Sequence, residues 1–411
     1  MTAVRRISTA AWAAFACATL FYAYQFALRV APSVMSADLM EAFGMGAAAF
    51  GLLAAFYSYG YAPFQVPAGA MCDLLSPRTV FVLSVLACVV GNLFFMMGSI
   101  PAAYFGRFLI GLGSATSFLL CIKVAATSFP SAMLPMLTSV AVLIGTFGSV
   151  GGYTPIAYST AQLGWKPTIM ILTILGGVLC LLGLVFIKKG ESGEKEEAFS
   201  KDAFFQAVKA LLHAKHTWII GSFGFLMYVP IATFFDVWGV PFLKSMYGLE
   251  ATEAGLLVSI AYIGFGAGAV LSPIALKYFG SYRPCFLIPS FGGVVFFLIM
   301  LSGVQLSYSA FAALMLLFGM IVAPQILAFA LIASLTPKKI AGISSGLHNM
   351  ICMLSGVVAP PLVGKLLHLL APDMHQKPSH AYQLALLVVV AALVLAGLLV
   401  LFAPKSFRKG S

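Results

Sequence analysis

The chain reads as an all-α membrane protein of twelve transmembrane helices in two pseudo-symmetric six-helix bundles. Three observations point there. Of its 411 residues, 61% are hydrophobic and only 9% charged, and the mean hydropathy is +1.03. Such a composition places most residues in lipid or bundle interior. Apolar runs of membrane length then recur twelve times. Finally, the second half echoes the first at an offset of about 204 to 207 residues: FGLLAAFYSYG at 50–60 resembles AGLLVSIAYIG at 254–264, and FPSAMLPMLTS at 129–139 has the place of TPKKIAGISSG at 336–346.

A hydrocarbon core of about 30 Å takes about twenty apolar residues per helix. Helix 1 is expected over 10–30. Its apolar stretch runs into Tyr22, Gln25 and Arg29 with no cleavage signal, so it reads as a retained span and not a secretory leader. Helices 2 (49–70) and 3 (79–98) flank the turn GAMCDLLSPR, which sets Asp73 and Arg78 between two apolar runs. Helix 4 (102–124) carries Arg107, and helices 5 (133–156) and 6 (167–187) complete the first unit. Residues 188–216 are highly charged and divide the chain into units 1–187 and 217–411. Within this connection Phe204, Val208, Leu211 and Leu212 recur at helical spacing, which predicts a short amphipathic helix on the inner membrane surface. Helix 7 (217–243) holds Asp236, helices 8 (253–275) and 9 (284–303) follow, and helix 10 (308–333) holds Gln325. Helix 11 (342–366) contains His348 and Asn349, and helix 12 (382–402) ends the series.

Charge gives the orientation. With the N-terminus inside, seventeen of the 23 Lys and Arg fall in or beside inner connections, five fall outside, and Arg107 lies within a span. The positive-inside rule expects this bias, so both termini are predicted to be cytoplasmic in a multi-pass protein of a bacterial inner membrane. The net charge of +11 then reports orientation and anionic inner-leaflet lipid, and nucleic acid is not needed to explain it. Seven scattered Cys form no Cys-x-x-Cys pair, so neither a disulfide framework nor a metal site is indicated. No Gly-x-x-x-x-Gly-Lys-[Ser/Thr] loop occurs, so no ATP-driven step is expected. The clustered His, Asp, Glu or Cys that a membrane enzyme needs are absent as well. The run GFGAG at 264–268 mimics a dinucleotide fingerprint but sits inside a span with no strand before it, where close helix packing is the better reading. No cofactor is expected, and the protein is expected to act as a monomer.

These features resemble the major facilitator superfamily over essentially the whole length. Between helices 2 and 3 that family has Gly-x-x-x-Asp-Arg-x-Gly-x-Arg; Gly69, Asp73 and Arg78 match, while Leu74 and Ser76 depart from it. In helix 4 the family pattern Arg-x-x-x-Gly is matched by Arg107 and Gly111. The antiporter pattern of helix 5 is met only by glycines in GTFGSVGGYTP, without its Gly-Pro pair. YQFALRVAPSVM, with Arg29 late in helix 1, is similar to the organic-anion symporter branch. YGYAPFQVPAG and SGLHNMICMLSG look like the phagosomal nutrient and amino-acid transporters of intracellular bacteria. The resemblance implies two six-helix bundles that open alternately to either side, with helices 1, 4, 7 and 10 lining a central cavity.

Asp236 is the one carboxylate expected inside a span and Arg107 the one Arg well inside. A mid-helix charge costs about 2.5–3.5 kcal/mol even on the lenient insertion scale, so each should face a cavity or a partner. Tyr22, Gln25 and Arg29 share one face of helix 1, as Tyr228 and Asp236 do on helix 7. Substrate contact is therefore expected from Tyr22, Gln25, Arg29, Arg107, Tyr228, Asp236, Gln325 and Asn349. Arg29 and Asp236, near prolines of symmetry-related helices, are candidates for an outer gate, and Asp236 or His348 for proton coupling. The predicted activity is import of a small carboxylate-bearing nutrient, an amino acid or peptide-like zwitterion, with protons. An organic-anion symporter, or a drug or metabolite exporter of the same fold, is the alternative.

Overall fold

The computed structural model describes residues 8–130, 133–187, 201–337, 340–371 and 378–402. The connection at 188–200 and the Lys and Arg at either terminus lie outside these. Among the described residues every span is helical. Helix 1 runs Thr9–Val34, helix 2 Ala47–Leu74, helix 3 Pro77–Phe95, helix 5 Leu134–Leu163 and helix 6 Trp165–Phe186. In the second half helix 8 runs Ala251–Phe279, helix 9 Tyr282–Leu301, helix 11 Ala341–Leu370 and helix 12 Ser379–Phe402. Helices 4 (Ile100–Ser128), 7 (Lys215–Tyr247) and 10 (Tyr308–Ser334) are long enough to span but locally irregular. A short helix, Ser36–Phe43, meets helix 2 at 112°.

The ends follow local chemistry. Ser8, Ser76, Ser281 and Ser307 accept from backbone N–H groups of the first helical turn, and Glu250 with Glu253 forms a capping box before helix 8. Each satisfies donors that a helix start leaves unpaired. Large apolar side chains such as Ile174, Leu181, Val185, Val270 and Phe402 remain exposed. In a bilayer that surface is lipid-facing and costs nothing. The packed interior is instead made by small residues. A Cβ on Gly111 of helix 4 would lie 1.9 Å from the Tyr57 carbonyl oxygen of helix 2, and one on Gly60 would lie 2.2 Å from that of Phe108. The second half repeats the device: a Cβ on Gly264 of helix 8 would lie 2.0 Å from the Leu316 carbonyl oxygen, and one on Gly319 of helix 10 would lie 1.8 Å from that of Ala261. Backbones approach this closely only where no side chain intervenes. Gly264 and Gly268 of the GFGAG run are both used for such helix packing.

Helix 2 packs along helix 11 and helix 5 along helix 8, which joins the two halves. One end of this seam is tight: Gly51 abuts the Pro360 carbonyl and Gly364 the Ala47 carbonyl. This far end lies opposite the beginning of helix 1. Toward the near end, a Cβ on Gly69, Gly342 or Gly346 would meet nothing within 4 Å among the described residues. The predicted amphipathic helix is present as Lys201–His213. Its Leu211 is buried against Leu347 and Ile351 of helix 11 and Ala207 is buried too, while Leu212 stays 40% exposed; the side chain of Phe204 lies outside the description.

Candidate functional site

Helix 1 carries Gln25 and Arg29 into the seam one turn apart, both buried. Helix 7 meets it with a departure from regular geometry. Between Lys215–Val229 and Gly239–Tyr247 it forms a π-helix, Pro230–Trp238. Pro230 has no N–H to continue the α ladder, and such wide turns occur often at functional sites. Asp236 sits in this segment and is 5% exposed.

Arg29 and Asp236 form an ion pair across the two halves, the only one among the described residues. Arg29 Nη2 also donates to the Tyr228 hydroxyl at 2.8 Å. The other carboxylate oxygen of Asp236 accepts from the Tyr262 hydroxyl. Beside the pair, Ser33 Oγ donates to the Val237 carbonyl at 2.8 Å and the Tyr153 hydroxyl to that of Phe235. Helices 1 and 5 are thus fastened to helix 7 at the far end.

Arg107 is held differently. Its Nη1 donates to the Leu28 carbonyl at 2.8 Å and its Nη2 to the Arg29 carbonyl at 3.3 Å, while Nε has no partner. The guanidinium carbon lies 5.1 Å from the centre of the Tyr57 ring, and that of Arg29 lies 5.8 Å from the same ring. Tyr57 is fixed by donating to Gln25 Oε1 at 2.7 Å. Two guanidinium groups therefore share one aromatic ring, a favourable neighbour for a desolvated cation, but among the described residues only Arg29 has a carboxylate.

A small closed cavity is lined by Arg29, Tyr57, Ser58, Arg107, Asp236 and Gly356, among others. Its free space is about 10 Å³, room for about one water, so the site is shut around the ion pair. Helices 2 and 11 supply part of the wall, where the family resemblance implied helix 10. The reason is their tight far-end contact, which roofs the space with Gly356 and Pro360.

The remaining expected residues are spread out. Tyr22 packs on Phe26 and Phe118 and presses on Gly145. Gln325 is buried in a 3-10 turn, Ala323–Ile326, and is not among the cavity residues. Asn349 donates to Gln65 Oε1 at 3.2 Å, bridging helices 11 and 2 below the cavity. His348 is fully buried, 4.6 Å from the Phe329 ring and 3.5 Å from Cys352 Sγ, and faces Gly224 of helix 7. It is not brought to Asp236. Gly69 meets open space, Arg78 Nε donates to the Ile187 carbonyl at 2.5 Å, and the side chain of Asp73 lies outside the description. No group of three or more His, Cys, Asp or Glu is placed to hold a metal among the described residues. Tyr262 and Tyr153 were not anticipated. A signal for Tyr262 existed in the internal repeat, which aligns it with Ser58, a residue that lines the cavity.

Comparison with known proteins agrees with this architecture. The chain is 23% identical over 378 residues to the probable galactarate/D-glucarate transporter GudP of Escherichia coli (strain K12), covering 83% of each chain. It is 26% identical over 277 residues to the hexuronate transporter of Bacillus subtilis (strain 168), covering 61% of each. The fold matches that of the nucleoside transporter NupG with a TM-score of 0.77 at 14% identity, over 96% of this chain and 98% of that one. Residues 12–360 match the model of the Major Facilitator Superfamily, and the chain belongs to that superfamily as a secondary transporter, not an enzyme.

Proposed function

We propose that the protein is a proton-coupled symporter that imports a small organic acid of the sugar-acid kind by alternating access. The observation that carries this reading is the charge of the cavity: two buried guanidinium groups face it against one carboxylate. Arg forks suit carboxylate oxygens, and Arg107 has a donor to spare. The relatives' names speak for organic acids and lend no support to the amino acid or peptide-like zwitterion expected from the sequence, nor to the phagosomal group. The site agrees with them. A zwitterion needs a free carboxylate for its amine, and Asp236 is already bound by Arg29 and Tyr262.

The test is a thermal-shift and proteoliposome-uptake panel of D-glucarate, D-glucuronate, alanine and dialanine, with and without an inward pH gradient. Both sugar acids should stabilise the protein, and D-glucarate should accumulate with the gradient. Arg107→Ala should weaken binding at least about tenfold, equivalent to about 1.4 kcal/mol. Stabilisation by alanine or dialanine but by neither sugar acid, or sugar-acid binding that survives both Arg29→Ala and Arg107→Ala, would overturn the assignment.

A further inference from the structure

We propose that Asp236 is an internal stand-in for a substrate carboxylate, so that the valence of the bound acid sets how many protons travel with it. This rests on the organic-acid reading above and adds a rule to it. The ionised groups facing the cavity are Arg29 from helix 1, Arg107 from helix 4 and Asp236 from helix 7. The other groups around Asp236 are neutral: the hydroxyls of Tyr228, Tyr262 and Tyr57, that of Tyr153 from helix 5, and Gly356 and Pro360 from helix 11. With Asp236 ionised the site holds one uncompensated positive charge. A monoanion brings it to neutrality, and a dianion overshoots.

A site closed off from water resists such an excess. The dianion is accommodated when Asp236 takes a proton from the aqueous phase, forming an O–H bond and giving up its ion pair. Arg29 Nη2 is then free for the second ligand carboxylate, and the sum is again zero. On release at the opposite face the carboxyl loses that proton and recaptures Arg29. A dianionic acid is therefore carried with one more proton than a monoanionic one. The geometry that makes this exchange direct is the placement of Asp236 on the same Arg29 nitrogen that a ligand would use, with Arg107 unpaired alongside.

The experiment measures binding of D-glucarate, a dianion, and D-glucuronate, a monoanion, to the purified full chain across a pH series. Apparent affinity for D-glucarate should fall about tenfold per pH unit where the site must acquire the proton, while that for D-glucuronate stays flat. In weak buffer, D-glucarate binding should take up roughly one proton and D-glucuronate none. Asp236→Asn should bind both acids with no pH dependence and no proton uptake. If both acids bind with parallel pH profiles, or if Asp236→Asn keeps the difference, the valence rule is wrong while the organic-acid reading stands. If neither acid binds, the organic-acid reading fails and the rule falls with it. Should Asp236→Asn not purify as a folded protein, the wild-type profiles decide alone.

Discussion

Arg29 and Asp236 are worth more as a pair than either is alone. Removing one partner of a buried ion pair strands the other, at about 3–5 kcal/mol, whereas removing both is much milder. Asp236→Ala and Arg29→Ala should each lower thermal stability by that order, and the double variant should recover most of it. A double variant as unstable as the sum of the singles would show that the two groups do not sense each other. These residues were legible because ionised groups are rare within apolar runs and must find a partner. Their pairing was legible from symmetry, both preceding a proline in equivalent helices. Tyr262 and Tyr153 were not, because a tyrosine is ordinary in an apolar helix and its hydroxyl finds many kinds of acceptor. The rarity of His348 in lipid drew attention as well, and it lies buried among Phe329, Cys352 and Gly224, apart from Asp236.

Helices were easier to read than single side chains, and their ends harder than their middles. Helix 4 was expected over 102–124 and runs Ile100–Ser128, because polar terminal turns add nothing to the apolar signal. Nothing but Pro230 marked the π segment of helix 7, since widening a helix leaves its hydrophobic pattern nearly intact. The glycines at helix crossings carry a sharper expectation. Gly111→Ala and Gly319→Ala each place a methyl within 2 Å of a neighbouring carbonyl oxygen, so helices 2 and 4, or 8 and 10, must separate. Overpacking of this kind costs typically about 1–3 kcal/mol or more. Gly177→Ala, on helix 6 with nothing within 4 Å, should be silent. Fluorescence-detected size-exclusion after a heating series would compare them; equal loss in all three would refute the crossing argument.

At the scale of the molecule, twelve spans and a repeat were readable, but which helices join the halves was not. The contacts of helix 2 with helix 11 and of helix 5 with helix 8 depend on faces that weak, all-round hydrophobicity does not distinguish. The seam is tight at the far end and loose at the near end, so access to the ligand-free protein should be one-sided. All seven native cysteines are buried, which makes a cysteine-free background practical. On it, Gly342→Cys should react with an impermeant maleimide from the near side, and Ser33→Cys should resist from the far side. Ready labelling of Ser33→Cys without ligand would contradict the closed far end.

One fastening in that closed end joins a side chain to a main-chain oxygen: the phenol of Tyr153 grips the carbonyl of residue 235. The main chain offers that oxygen whatever amino acid occupies the position. Replacing Phe235 by another residue that fits would leave the clasp whole, while trimming a single hydroxyl, as in Tyr153→Phe, would undo it. That one clasp between the halves is thus written on only one of its two sides.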